Sequence, residues 1–85
     1  MSVIWKYPVP FGDEITIPLP GASEPLTVQM QNGAPMMWVN VATNIEPKPH
    51  IFQWVATGQT VIGGKYVGTV QADGLVFHLF YRVRW

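Results

Sequence analysis

The chain has 85 residues, 48% of them hydrophobic, with four Trp, three Tyr and four Phe but no Cys. That length makes one small β domain spanning 1–85, which buries little more than about 60% of its unfolded surface, so its core is marginal and leftover apolar surface points to a binding site or a homo-oligomer, most simply a two-fold dimer. Five basic and five acidic residues give zero net charge, which argues against long DNA or RNA as a partner, and without cysteine there is neither a disulfide nor a thiolate zinc site.

The N-terminal stretch MSVIWKYPVP lacks the apolar run of a signal peptide. No segment approaches the roughly 20 apolar residues of a membrane-spanning helix, so a soluble, intracellular protein is expected. Eight Pro and eight Gly break the chain every few residues. No stretch shows a clean helical period. Short β-rich runs recur instead, at 3–7, 14–19, 26–31, 36–42, 51–57, 65–71 and 75–84. The expected fold is all-β: a small antiparallel sandwich or partly open barrel of about six or seven short strands. Pro8, Pro10, Pro18 and Pro20 confine their segments to edges or connections.

Asn32-Gly33 lies between two alternating runs, the strongest short-range signal for a tight hairpin. It sets Gln31 opposite Ala34, Gln29 opposite Met36 and Thr27 opposite Trp38. One face of the ribbon is then Leu26, Val28, Met30, Pro35, Met37 and Val39, a core face. The other carries Thr27, Gln29, Gln31, Met36 and Trp38, with Asn40 beyond. The stretch TNIEPKPH, 43–50, reads as a loop, and TGQTVIGGK, 57–65, as a second.

Asp73-Gly74 predicts a second hairpin, with Gln71 opposite Val76, Thr69 opposite His78, Val67 opposite Phe80 and Lys65 opposite Arg82. Its apolar face is Tyr66, Gly68, Val70, Phe77, Leu79 and Tyr81. The other face is Lys65, Val67, Thr69, Gln71, Val76, His78, Phe80 and Arg82. A like-charge pair such as Lys65–Arg82 is one that a sheet avoids. Either the strands splay there or an anion sits between them. TVQMQNG and TVQADG echo one another, through convergent hairpin chemistry or through duplication.

The five carboxylates fall mostly in turns and connections, and no two are spaced as an acid/base pair. Two histidines, His50 in a loop and His78 on a strand, make a poor metal site. There is no nucleophile motif and no phosphate-cradling loop. A non-enzymatic protein without cofactor or metal is expected. Binding is better provided for. Trp5, Tyr7, Trp38, Trp54 and Tyr66 offer π-faces; Gln29, Gln31, Asn40, Gln53 and Gln71 offer paired donors and acceptors; Lys6, Lys65, Arg82 and Arg84 can meet phosphate. Nucleobases are read by that combination. The same aromatics also suit a core or a protein interface. The expected ligand-binding set is Trp5, Tyr7, Gln29, Gln31, Trp38, Trp54, Lys65, Thr69, His78 and Arg82.

The segments IWKYPVP, DEITIPLPGA, LTVQMQNGAPMMWVNV, ATGQTV and YVGTVQADGLVFHLF together resemble a family of short phage-encoded proteins of unassigned function, over roughly residues 3–80. The extension YRVRW, 81–85, departs from that pattern, so no role passes to Arg82, Arg84 or Trp85. The chain is also similar to phage sponges that sequester the cyclic dinucleotides of CBASS immunity. The resemblance implies an anti-defence protein in the cytoplasm of an infected bacterial host. It would hold a cyclic oligonucleotide, a cyclic dinucleotide such as 3',3'-cGAMP foremost, without cleaving it. The alternative is a phage module that docks on a host or virion protein through its aromatic face.

Overall fold

A computed structural model describes residues 1–84; Trp85 lies outside the described residues. Seven strands follow one another: β1 Ser2–Pro8, β2 Ile15–Pro20, β3 Glu24–Gln31, β4 Ala34–Ala42, β5 Pro47–Ala56, β6 Lys65–Ala72 and β7 Leu75–Val83. They form two antiparallel sheets, one of three strands in the order β1-β4-β3 and one of four in the order β2-β5-β7-β6. The sheets pack as a sandwich that does not close into a barrel.

Both hairpins turn where the sequence places them. Asn32 and Gly33 have φ of 52° and 82°, and Asp73 and Gly74 of 52° and 77°. Two successive positive φ values define the turn whose twist matches the flanking strands. The first register is also as expected: Gln31 opposes Ala34, Gln29 opposes Met36 and Thr27 opposes Trp38.

Beyond five residues from each turn the expected registers fail, because each hairpin carries a bulge. The first lies between Pro25 and Thr27, and Pro25 rather than Leu26 faces inward. Leu26, read as a core residue, is therefore exposed. The second lies between Tyr66 and Gly68, so Tyr66 opposes Phe80 and Lys65 opposes Tyr81. Val67 turns into the core and Tyr66 turns out, the reverse of the expected faces. The Lys65–Arg82 pair does not form; Arg82 opposes Ile51 on β5.

The core lies between the sheets. Val28, Met37, Val39 and Val41 meet Phe52, Trp54, Val70 and Leu79, all at most 5% exposed. Each such side chain contributes about 1.5–3 kcal/mol. The loop expected at 43–50 is shorter than that, since β5 begins at Pro47. Pro47 and Pro49 oppose Pro20 and Pro18. The Gly21 N–H donates to the Glu46 carbonyl at 2.9 Å, which assigns the odd positions of β2 to hydrogen-bonded pairs. The prolines thus occupy the alternate pairs, which need no N–H from either strand. His50 consequently sits in a strand rather than a loop. It is fully buried, its Nδ1 donates to the Lys48 carbonyl at 2.8 Å, and its ring stacks toward Tyr81 with centroids 6.3 Å apart.

The seam between β3 and β6 is tight. A Cβ on Gly68 would lie 3.0 Å from Val28 Cγ1 and 3.5 Å from the Val28 backbone nitrogen. Glycine is what allows the two strands to come this close.

Candidate functional site

The residues expected to bind a ligand separate into four groups, the last of them Lys65 with Arg82. Gln29, Gln31 and Trp38 share the outer face of the three-stranded sheet, as the hairpin register requires. Trp38 lies between Thr27 and Lys6, and Lys6 Nζ donates to Gln31 Oε1 at 2.8 Å. The cation of this surface is already engaged.

Trp5, Tyr7 and Trp54 are not on that face. Trp5 and Tyr7 oppose Val39 and Met37, so they lie on the inner side of β1. Tyr7 packs against the core, and burial raises its phenol above the usual tyrosine range. Trp54 is a core residue, 5% exposed, and its Nε1 donates to the carbonyls of Val9 and Pro10 at 3.1 Å each. Phe11 leans on it, with ring centroids 4.8 Å apart. Its indole anchors the segment after β1, and Trp54 also lines the groove described below.

Thr69 and His78 share the outer face of the four-stranded sheet, and the bulge in β6 brings Tyr66 to them. The Tyr66 hydroxyl bonds Thr69 Oγ1. Thr69 Oγ1 meets His78 Nδ1 at 2.9 Å, and His78 Nε2 meets Thr57 Oγ1 at 2.9 Å. A neutral imidazole has one donor and one acceptor nitrogen, so it accepts from one threonine hydroxyl and donates to the other. Four side chains from β6, β7 and the loop after β5 thereby form one polar chain. Tyr66 is 58% exposed and tilts against Phe80, with ring centroids 5.6 Å apart.

A groove of about 500 Å³ adjoins this chain, lined by Asp13, Glu14, Gln53, Val55, Gly58 and Gln59 among others. Val55 opposes His78 in register, and Thr57 leads into Gly58, so the groove lies beside the polar chain, whose four side chains are not part of its lining. The sequence dictates this local shape. Gly58 takes φ of 96°. Gln59 Oε1 accepts from the Ala56 N–H at 2.9 Å, and the Ile62 N–H donates to Gln53 Oε1 at 3.3 Å. Two glutamine side chains thus fix the loop that walls the groove.

Charge around the groove is mixed. Arg82 reaches Glu14 Oε2 at 3.3 Å. Arg82 opposes Ile51, and Thr16, two residues after Glu14, opposes Ile51 from the other side. The ion pair therefore bridges across the central strand β5. Lys65 and Arg82 line a second shallow depression with Tyr81. Among the described residues no three His, Asp or Glu side chains gather as a metal site.

The sequence reading missed Thr57 and misplaced Tyr66. Thr57 lies in a loop remote in sequence, inside ATGQTV, and nothing local signals its partner. The Tyr66–Thr69 spacing signals a shared face only once the bulge is known.

The chain matches, over residues 1–84, the family model described as Domain of unknown function (DUF7352). It belongs to that family. The match takes in Tyr81–Arg84, four of the five residues read as an extension. No curated protein and no solved structure matches the chain. Among the described residues no helix is long and apolar enough to cross a membrane.

Proposed function

We propose that this DUF7352 domain binds a nucleotide-type signal on the outer face of its four-stranded sheet and releases it unchanged. The observation that carries this reading is the hydrogen-bonded chain Tyr66–Thr69–His78–Thr57 lying beside a groove edged by amides. An exposed tyrosine ring supplies a stacking surface for a base. Hydroxyl, imidazole and amide groups supply donors and acceptors for base edges and ribose. Glu14 is held by Arg82, and Asp13 is the groove's other carboxylate. A phosphate therefore lies away from Asp13, toward Lys65, the neighbour of Tyr66 in the chain.

Within this reading the ligand is a cyclic oligonucleotide of bacterial immunity, with 3',3'-cGAMP the first to try, and the protein is a phage anti-defence sponge acting in the host cytoplasm. A sponge needs nanomolar affinity, about −12 kcal/mol. Stacking yields about 1–3 kcal/mol per base. The preorganised polar chain and the amides must supply the remainder.

Calorimetry against cyclic dinucleotides, cyclic trinucleotides and ADP-ribose derivatives tests the proposal. One of them binds in the nanomolar range and is recovered intact after heat denaturation of the protein. Tyr66→Ala and His78→Ala each weaken binding, while Trp38→Ala on the opposite sheet leaves it unchanged. Failure of every nucleotide to bind tighter than about 10 μM, roughly −7 kcal/mol, rejects the reading. The second reading, docking on a host or virion protein, then takes its place. It draws on the outer face of Trp38, Lys6 and Gln31, an aromatic ring beside a bonded lysine and an amide.

A further inference from the structure

A two-sheet sandwich has four edge strands, here β1 and β3 in one sheet and β2 and β6 in the other. Each edge exposes unpaired backbone groups and is a template for another chain unless something blocks it. Three of the four are blocked. β3 and β6 lie against each other at the Val28–Gly68 contact. β2 carries Pro18 and Pro20 at positions that do not bond to β5. Their nitrogens face the open side, where proline has no N–H to donate.

β1 has no such protection. The Thr43 N–H donates to the Met1 carbonyl and the Val9 N–H to the Pro35 carbonyl. Those two bonds place the odd-numbered residues of β1 in the hydrogen-bonded pairs with β4. Ser2, Ile4 and Lys6 consequently turn their N–H and C=O groups outward, and β1 contains no proline before Pro8. Ile4 is 61% and Trp5 49% exposed along this edge.

We propose that β1 pairs antiparallel with β1 of a second copy, joining two three-stranded sheets into one six-stranded sheet across a two-fold axis. The occupant is a second copy because antiparallel pairing of a strand with itself is self-complementary and closes the assembly at two. Charge selects the register. An axis at Lys6 would set two ammonium groups directly opposite, which a sheet disfavours. An axis at Trp5 avoids this. It sets Ile4 opposite the partner's Lys6, where the outward backbone groups of both residues exchange hydrogen bonds, and it sets Trp5 opposite the partner's Trp5. Two indoles half-exposed in one copy then cover each other, as cross-strand aromatic pairs do. The proposal stands apart from ligand binding, since the groove and the polar chain lie on the other sheet.

Size-exclusion chromatography with light scattering, run across a concentration series, reads the mass. The wild-type chain runs as a dimer. Ile4→Pro removes an N–H that faces away from β4, so circular dichroism remains that of the folded protein while the mass falls to the monomer. Trp5→Cys supplies an independent measurement, because the chain has no other cysteine. Opposed residues in a non-hydrogen-bonded antiparallel pair have Cα atoms about 4.5 Å apart, within the disulfide range of roughly 4.4–6.8 Å. Mild oxidation therefore yields a covalent dimer from Trp5→Cys and none from Thr69→Cys on the other sheet. A monomeric wild type overturns the proposal. A folded Ile4→Pro variant that remains dimeric also overturns it. If Ile4→Pro does not fold, absence of the Trp5→Cys cross-link overturns it instead.

Discussion

The two hairpins use one turn chemistry and arrive at different surfaces. Each turns on a residue at φ 52° followed by glycine. Each sets the threonine and glutamine of a Thr-Val-Gln run outward and the valine inward. Each then carries a bulge. In β3 the bulge only exchanges a leucine for a proline at the edge of the core. In β6 it buries Val67 and brings Tyr66 out beside Thr69 and His78. The first hairpin thus presents Trp38 and a glutamine bonded by Lys6 of β1, and the second a polar chain beside a groove. A single inserted residue, placed differently against the alternation, separates a plain surface from a candidate site.

The sharpest way to break this comparison is through the tryptophan on each side of it. Trp38 stands on the outer face of the first hairpin, whereas Trp54 lies inside, opposite Leu79 of the second. Trp54→Ala removes a buried ring and leaves the Val9 and Pro10 carbonyls without their donor. The expected loss is about 3–5 kcal/mol, a large part of the stability of an 85-residue chain. Thermal denaturation should show it unfolded or barely folded near room temperature. Trp38→Ala should melt far closer to the wild type.

The seam is next. Gly68→Val places a branched side chain where a single Cβ already lies 3.0 Å from Val28 Cγ1. Overpacking of this kind destabilises by about 1–3 kcal/mol. Chemical denaturation should show a lowered midpoint with an unchanged slope. A variant as stable as the wild type would mean that β3 yields at this point, and the two hairpins would then be mechanically independent.

These contrasts also mark how far the sequence could be read. The short β-rich runs pointed to about six or seven strands, of which the structure has seven, and the Asn-Gly and Asp-Gly turns to the correct register next to each turn. Turn chemistry is local, so it is visible in a few residues. A bulge is not, because it answers to the partner strand and to the other sheet: Gly68 is needed only because Val28 arrives opposite it. Hence Gln29, Gln31 and Trp38 were placed together correctly, and Thr69 with His78. Tyr66 was assigned to the wrong face, and the bonds of Trp54 to the remote segment Val9–Pro10 were not foreseen. Lys65 and Arg82 were paired by a register that ends at the bulge. Proline was misleading in one place only, since Pro47 and Pro49 sit at alternate positions that tolerate a strand.

A smaller effect tests whether the turns themselves are equivalent. Gly33 and Gly74 have φ of 82° and 77°, with nothing within 4 Å of the site of an added Cβ. Gly33→Ala and Gly74→Ala therefore meet no clash, only the left-handed backbone strain of about 1–2 kcal/mol. The two should shift the denaturation midpoint by the same amount. A much larger loss for one of them would show that its turn carries an interaction that the other lacks.

The smallest expected effect lies where the hairpins sense each other electrostatically. Tyr81 of the second hairpin has its phenol raised above the usual tyrosine range, first by burial and then by the carboxylate of Glu24 on the first. A raised pKa means that the fold favours the neutral phenol. Its contribution to stability is fully present below the ordinary tyrosine pKa of about 10 and is lost as pH rises through the higher folded value. Denaturation midpoints should therefore be insensitive to this group at neutral pH and decline only in strongly alkaline solution. Glu24→Gln removes the second cause and keeps the first, so the shift shrinks without vanishing. Absorbance titration of tyrosinate, with Tyr81→Phe identifying the signal among the three tyrosines, reads this directly. Loss of the whole shift in Glu24→Gln would reverse the order of the two causes. It would also mean that Tyr81 is held less by the core of its own sheet than by the neighbouring hairpin.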